Sequence, residues 1–277
     1  TDGVNGGPSL GANVTFGQSI ANIGDLDGNG VIDLAVGARD DDNGDSGEGA
    51  IYILFMNSDA TVKKSVKISD GLNGGARQDE NGDSAEGAIF TLFMNKDGSV
   101  KSYLKISDGL NGGPTIDAND EFGYSVANMG DIDGDGINDI VVGARQYDSS
   151  ARGGVFTLFM NKDGSARSVV SIAYATNGIN GGPTFSDGLA GNDEFGRSVA
   201  NVGDLNGDGI NDLAVGASSD ENVDSAEGAL YIFFMQVNGA AKSHIKISDG
   251  LNGGPTQATN AKLGYAVASA GDLDGDG

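Results

Sequence analysis

Short apolar segments, each closed by glycine or a polar turn, recur along this chain in a fixed order. In the first copy, Phe16–Asn22 reads as strand one, and Asp33–Ala38 reads as strand two. Within strand two, the apolar run Leu34-Ala35-Val36 stopped by Gly37 is the signature of a buried strand rather than an amphipathic helix. After an acidic connection, Gly49–Met56 reads as strand three and Ser65–Ser69 as strand four. In later copies the turn between strands three and four is Asn95-Lys96-Asp97-Gly98 or Asn161-Lys162-Asp163-Gly164, a strong hairpin signal. The linker Asp70–Gly75 leads to the next unit. Four short antiparallel strands per unit, repeated about every 70 residues, predict an all-β chain of β-propeller blades.

The repeat is broken in an informative way. Asp131 to Asp204 spans 73 residues and Asp204 to Asp272 spans 68, but Asp25 to Asp131 spans 106. The excess is residues 76–113, where Ala76–Ala88 repeats Ala38–Ala50 and only strands three (Ile89–Met94) and four (Val100–Ser107) follow. This is half a blade. The expected organisation is one propeller or propeller fragment over 1–277: blade 8–75, half-blade 76–113, blade 114–182, blade 183–254 and partial blade 255–277. The partial blade supplies a strand one at Leu263–Ser269, for 15 strands in all. Thr1–Gly7 reads as the tail of a preceding unit. An unpaired terminal strand invites pairing with other chains. The expectation is therefore either a longer chain or completion by a neighbouring molecule.

Between strands one and two lies Asp-x-Asp/Asn-Gly-Asp/Asn-Gly-x-x-Asp, complete three times and truncated a fourth. Such a loop points side chains at positions 1, 3 and 5, a backbone carbonyl at 7 and a closing acid toward one hard cation. The donors are Asp25, Asp27, Asn29, the carbonyl of Val31, and Asp33 in the first copy. The second supplies Asp131, Asp133, Asp135, Ile137 and Asp139, and the third Asp204, Asn206, Asp208, Ile210 and Asp212. The truncated copy keeps Asp272, Asp274 and Asp276. Gly30, Gly136 and Gly209 stand at position 6, where a sharp turn is needed and a side chain is expected to obstruct. Asp, Asn and Gly are also common turn formers, but three copies in register favour a Ca2+ site, about one ion per complete loop. Magnesium keeps its waters, and zinc and copper are poorly served by a chain with no Cys and one His. The closing acid falls at position 9 and a strand follows, unlike an EF-hand.

A formal net charge of −24 makes nucleic acid an implausible partner. No apolar stretch is long enough to insert in a membrane. Calcium modules of modest affinity suit millimolar calcium, so an extracellular or cell-surface location is expected. Asn13-Val14-Thr15 is a lone glycosylation sequon.

The units resemble FG-GAP repeats, the blades of the integrin alpha-subunit propeller and its bacterial relatives. The resemblance rests on Phe16-Gly17, Phe122-Gly123, Phe195-Gly196 and the variant Leu263-Gly264. It rests equally on Gly37-Ala38-Arg39, Gly143-Ala144-Arg145 and Gly216-Ala217-Ser218, which lack the usual proline, and on the loops between them. It implies structural calcium and a ring that is typically larger than this chain.

Three functional classes then compete. An enzyme would need convergent groups, yet His244 sits at a variable position of strand four, and Asp40-Asp41-Asp42 and Asp79-Glu80 read as solvated loop acids. The chain is therefore read as non-catalytic, although such propellers also occur as modules of secreted glycan-active enzymes. A binding module would present Thr115–Glu121, Thr184–Glu194 and Thr256–Lys262 to a protein or glycan. The recurring aromatics Tyr52, Phe90, Phe156 and Tyr231 read as inter-blade packing rather than a sugar platform. A building block would use the half-blade to form a homo-oligomer, polymer, surface layer or filament by strand addition. An adhesion or binding module is the preferred reading.

Overall fold

The computed structural model describes residues 3–11, 14–38, 41, 49–69, 72–73, 86–173, 179–183, 191–220 and 227–271. The fold is all-β. Its strands are β1 (Phe16–Asn22), β2 (Leu34–Ala38), β3 (Ala50–Met56), β4 (Val62–Ile68), β5 (Ile89–Met94), β6 (Val100–Ile106) and β7 (Phe122–Gly130). They continue with β8 (Asp139–Ala144), β9 (Gly154–Met160), β10 (Ala166–Ala173), β11 (Phe195–Gly203), β12 (Asp212–Ala217), β13 (Ala229–Met235) and β14 (Ala241–Ile247). They form three four-stranded antiparallel sheets, β1–β4, β7–β10 and β11–β14, and the two-stranded sheet β5–β6. These are propeller-type blades and one half-blade.

The chain divides into two compact units. The first carries β1–β4 and most of β5 and β6; the second carries β7–β14. In the first, β3 alternates between two cores, with Tyr52 and Leu54 packing beside Val36 and Phe16. Ile53 and Phe55 turn the other way, to Ile68, Val100, Leu92 and Met94, so the half-blade covers that face. In the second unit one continuous core joins Met129, Val141, Val155, Phe159 and Ile172 to Val215, Tyr231, Phe233 and Met235.

Successive repeats are stitched by the same contacts each time. A parallel bridge ties the glycine before strand three to the first residue of the next strand one: Gly87 to Phe122, Gly153 to Phe195 and Gly228 to Leu263. Ser125 and Ser198 hydroxyls donate to the Gly196 and Gly264 carbonyls, each at 2.8 Å. The linker asparagines are left-handed and reach back to their own strand four, Asn111 donating to the Lys105 carbonyl at 2.8 Å. The Asn111 carbonyl then accepts the Ala166 amide of the following strand four at 2.9 Å. Gly112 follows at φ +82°, and a Cβ there would stand 1.9 Å from the Ala166 oxygen. Only glycine allows this docking.

Two expectations are corrected. Residues 263–269 do not form a strand: among the described residues they keep the bridge at Leu263 but have no ladder partner to satisfy their backbone, so 14 strands are found. Each strand-three aromatic meets the first aromatic of its own blade edge-on, Tyr52 on Phe16 at 5.4 Å, Phe156 on Phe122 at 5.6 Å and Tyr231 on Phe195 at 5.4 Å, and Tyr231 also lies in the core shared by the two blades of the second unit. Phe90 likewise meets Tyr103 across its own hairpin.

Asp41 is not a solvated loop acid. It is buried, accepts from the Tyr52 hydroxyl, and pairs with Lys67 at 2.9 Å. Asp220 repeats the arrangement with Tyr231 and Lys246, each at 2.8 Å. Buried charge is tolerated when paired in this way. The β7–β10 blade replaces all three members together, with Phe156, Tyr147 and Ser171, and the two rings meet edge-on at 5.1 Å. Asp40, Asp42, Asp79 and Glu80 lie outside the described residues.

Candidate metal centre and binding face

Each complete loop joins strand one to strand two of a blade, as the sequence requires. Its first acid is wrapped by the loop's own backbone. Asp25 accepts the amides of Gly28, Asn29 and Gly30 at 2.8, 2.9 and 2.8 Å. Asp131 accepts those of Gly134, Asp135 and Gly136, and Asp204 those of Gly207, Asp208 and Gly209. The Gly209 amide is the main reason the Asp204 carboxyl falls below the usual carboxylate range. Gly30, Gly136 and Gly209 have φ of +85°, +86° and +89°, but a Cβ on any of them would meet nothing within 4 Å. The left-handed backbone demands glycine there, not crowding.

The closing acid does something the motif does not advertise. Asp33, Asp139 and Asp212 are fully buried. One oxygen of each accepts the amide of loop position 2: Leu26 at 2.9 Å, Ile132 at 3.0 Å and Leu205 at 3.0 Å. The other accepts the amide of the last strand-three residue: Met56 at 2.9 Å, Met160 at 3.0 Å and Met235 at 3.0 Å. This acid fastens the loop to the third strand. Burial pushes the Asp139 and Asp212 carboxyls above their ordinary range, against these hydrogen bonds.

Two loops gather three carboxylates each, Asp25 with Asp27 and Asp33, and Asp131 with Asp133 and Asp139, with ligand oxygens within 4.8 Å of one another. That all-oxygen donor set fits a hard divalent cation. In the third loop Asn206 stands between Asp204 and Asp208. Val31 and Ile137 direct their amides to the Asn29 and Asp135 side chains at 2.7 and 2.9 Å, and Ile210 does the same to Asp208 at 3.1 Å. Asp272, Asp274 and Asp276 lie outside the described residues.

A second cluster forms in the second unit where strand one begins. Arg145 grips Glu121 through Nε and Nη2 and reaches Glu194 at 2.6 Å, while Arg197 holds Glu194 at 2.7 Å. Gln146 and Ser218 donate to Glu121 and Glu194 at 2.7 and 2.6 Å. The guanidiniums stack on tyrosines: Arg145 lies 4.4 Å from the Tyr124 ring centre, and Arg197 lies 5.5 Å from Tyr124 and 3.8 Å from Tyr265. Burial opposes ionisation of Glu194, but Ser218, Arg197 and Arg145 together draw its carboxyl below the usual range.

Tyr124 and Tyr265 remain 43% and 54% exposed, and the buried Arg197 Nε has no hydrogen-bond partner. Glu121 and Glu194, immediately before strand one, and Lys262, at the matching repeat position, take left-handed φ of +56°, +60° and +58°. Residues without a glycine's freedom hold that conformation only when their surroundings fix it, and such strain gathers at functional sites. The stretches Thr115–Glu121 and Thr256–Lys262 end at this cluster, as does the described part, 191–194, of Thr184–Glu194. The sequence reading stopped at those loops and missed the residue after each Phe-Gly or Leu-Gly pair, where Gln18, Tyr124, Arg197 and Tyr265 vary. His244, by contrast, is a packing residue: Nδ1 lies 3.2 Å from the Gly181 carbonyl oxygen, and the ring sits against Tyr231 and Phe233.

A repeated four-stranded blade with an acidic loop between strands one and two defines a propeller-type repeat protein. Two of its repeats match the FG-GAP repeat family, over residues 122–159 and 195–233, which run from β7 into β9 and from β11 into β13. The chain is 37% identical over 155 residues to Integrin alpha-6 of Gallus gallus, covering 55% of this chain and 12% of that protein. It is 35% identical over 159 residues to Integrin alpha-6 of Homo sapiens, covering 55% of this chain and 11% of that protein. For Integrin alpha-PS2 of Drosophila melanogaster the figures are 34% over 167 residues, 56% and 11%. The chain thus spans a small part of these relatives' length. Among the described residues, no helix is long and apolar enough to cross a membrane.

Proposed function

We propose that this chain is a non-catalytic binding module of an extracellular adhesion protein, with its blades stabilised by calcium. The observation that carries this reading is the pair of three-carboxylate clusters at the same place in two blades. Bound there, the cation would neutralise acids held close together in a chain of net charge −24. Asp25, Asp27, Asn29 and Asp33, with their counterparts in the second and third loops, would hold it. Similarity to integrin alpha chains supports the adhesion class.

The face that would meet a protein or glycan is the cluster around Tyr124 and Tyr265. Two exposed rings, stacked guanidiniums and strained backbone occur together there, and rigid aromatic and arginine side chains are favoured in contact surfaces. The test is calorimetric titration of chelated protein with Ca2+ and then Mg2+. About one Ca2+ per complete loop, with Mg2+ weak, supports the reading; no saturable Ca2+ binding overturns it.

A further inference from the structure

The basic residue near the start of strand four is placed by a backbone device. In each four-stranded blade the pairing of strands three and four slips by one residue there. Met56 faces Val62 while Phe55 faces Lys64, Met160 faces Ala166 while Phe159 faces Ser168, and Met235 faces Ala241 while Phe234 faces Ser243. The bulged residues are Lys63, Arg167 and Lys242. A bulge re-aims its side chain. Each lies opposite the methionine whose amide the closing acid of the loop accepts.

Two of the three reach the loop. Lys63 Nζ lies 2.8 Å from Asp27 Oδ2. Arg167 spans two acids, with Nη1 2.7 Å from Asp135 Oδ2 and Nη2 against Asp133 Oδ2. The matching Oδ1 atoms accept loop amides, those of Asn29, Asp135 and Ile137. The cation therefore takes the carboxylate oxygens that the loop's own backbone leaves free. In the third loop the middle acid is Asn206, and no ion pair joins Lys242 to any described acid.

We propose that Lys63 and Arg167 are built-in counter-ions that compete with the divalent cation for the first and second loops. This rests on the calcium reading given above. The counter-ion stabilises the acids when the metal is absent and must be displaced, wholly or in part, when it enters. Affinity and metal-free stability are then traded against each other at one side chain. Among the described residues, the third loop has no such competitor.

The test uses protein with Asp25→Asn, Asp204→Asn and Asp272→Asn, so that only the second loop reports Ca2+, with and without Arg167→Gln. Arg167 is substantially exposed, with 42% of its side chain accessible, so the variant should fold. The expected result has opposite signs: Ca2+ affinity by calorimetry rises about three- to tenfold, as for loss of an exposed two-point ion pair, while Tm in chelator falls. Arg167→Lys should restore part of both. Lys242→Gln in the otherwise natural chain should change neither. If Ca2+ binds but Arg167→Gln leaves affinity unchanged or weakened, the residue is a positioning contact and the competition is overturned. If Ca2+ fails to bind even the natural chain, the calcium reading itself falls, and this inference with it.

Discussion

Removing the closing acid of the second loop should destabilise the protein even when no metal is present. Asp139→Ala strips the buried acceptor from the Ile132 and Met160 amides, both at 3.0 Å. A stranded buried donor costs about 1–3 kcal/mol, so two cost about 2–6 kcal/mol. Relief of a desolvated carboxylate and entry of water return part of this, leaving a net loss of about 2–4 kcal/mol. Asp133→Ala in chelator gives up its contact with the exposed Arg167 and a long hydrogen bond accepted from the Asp135 amide at 3.3 Å, a small loss beside that of Asp139→Ala. The assay is urea denaturation in EDTA and again in saturating Ca2+, with hydrogen exchange at the Ile132 and Met160 amides. Asp139→Ala should lose stability in both conditions and deprotect both amides. Asp133→Ala should lose mainly in Ca2+, by the binding free energy it forfeits. If Asp139→Ala falls within about 0.5 kcal/mol of the natural chain in EDTA, with both amides still protected, the closing acid does not fasten the loop.

Three further outcomes follow from the geometry. Lys246→Met strands the buried Asp220 charge and should cost about 3–5 kcal/mol, whereas copying the middle blade with Tyr231→Phe, Asp220→Tyr and Lys246→Ser together should recover most of it, as read by urea midpoints. Glu194 has its carboxyl drawn down on folding, so it contributes stability above its ordinary value of 4.5. The advantage of the natural chain over Glu194→Gln should hold from neutral pH to about 5 and vanish as pH falls through the folded value, in a series of melts. Gly112→Ala and Gly253→Ala meet the same φ, +82° and +81°, but only the first meets a carbonyl, at 1.9 Å. The second should cost about 1 kcal/mol and the first at least about 2 kcal/mol more; equal losses would mean the linker does not dock.

The blade strands were legible because apolar runs, glycine stops and hairpin turns are local signals, and the half-blade because a repeat displays its own deletion. The terminal strand at 263–269 misled for the converse reason: pattern marks a strand's capacity, while a ladder needs a partner. Position-9 acids read as ligands from spacing alone. Their burial and their bond to a methionine amide 21 residues on, as from Asp139 to Met160, are tertiary facts. Asp41 looked like one acid among three, and only the fold brings Tyr52 and Lys67 to it. The tyrosine–arginine cluster was least legible, since Tyr124, Arg197 and Tyr265 share one repeat position but differ in residue type, and only the fold brings Arg145 beside them.

As metal sites, the acidic loops would stabilise the blades only when a divalent cation is bound. The decisive measurement is the melting temperature of the natural chain across a Ca2+ titration from chelator to millimolar, beside a variant carrying Asp27→Asn, Asp133→Asn and Asp208→Asn. The natural chain should show a saturating rise in Tm and the variant a much smaller one. Equal rises in both, or none in either, would contradict a metal role for these loops.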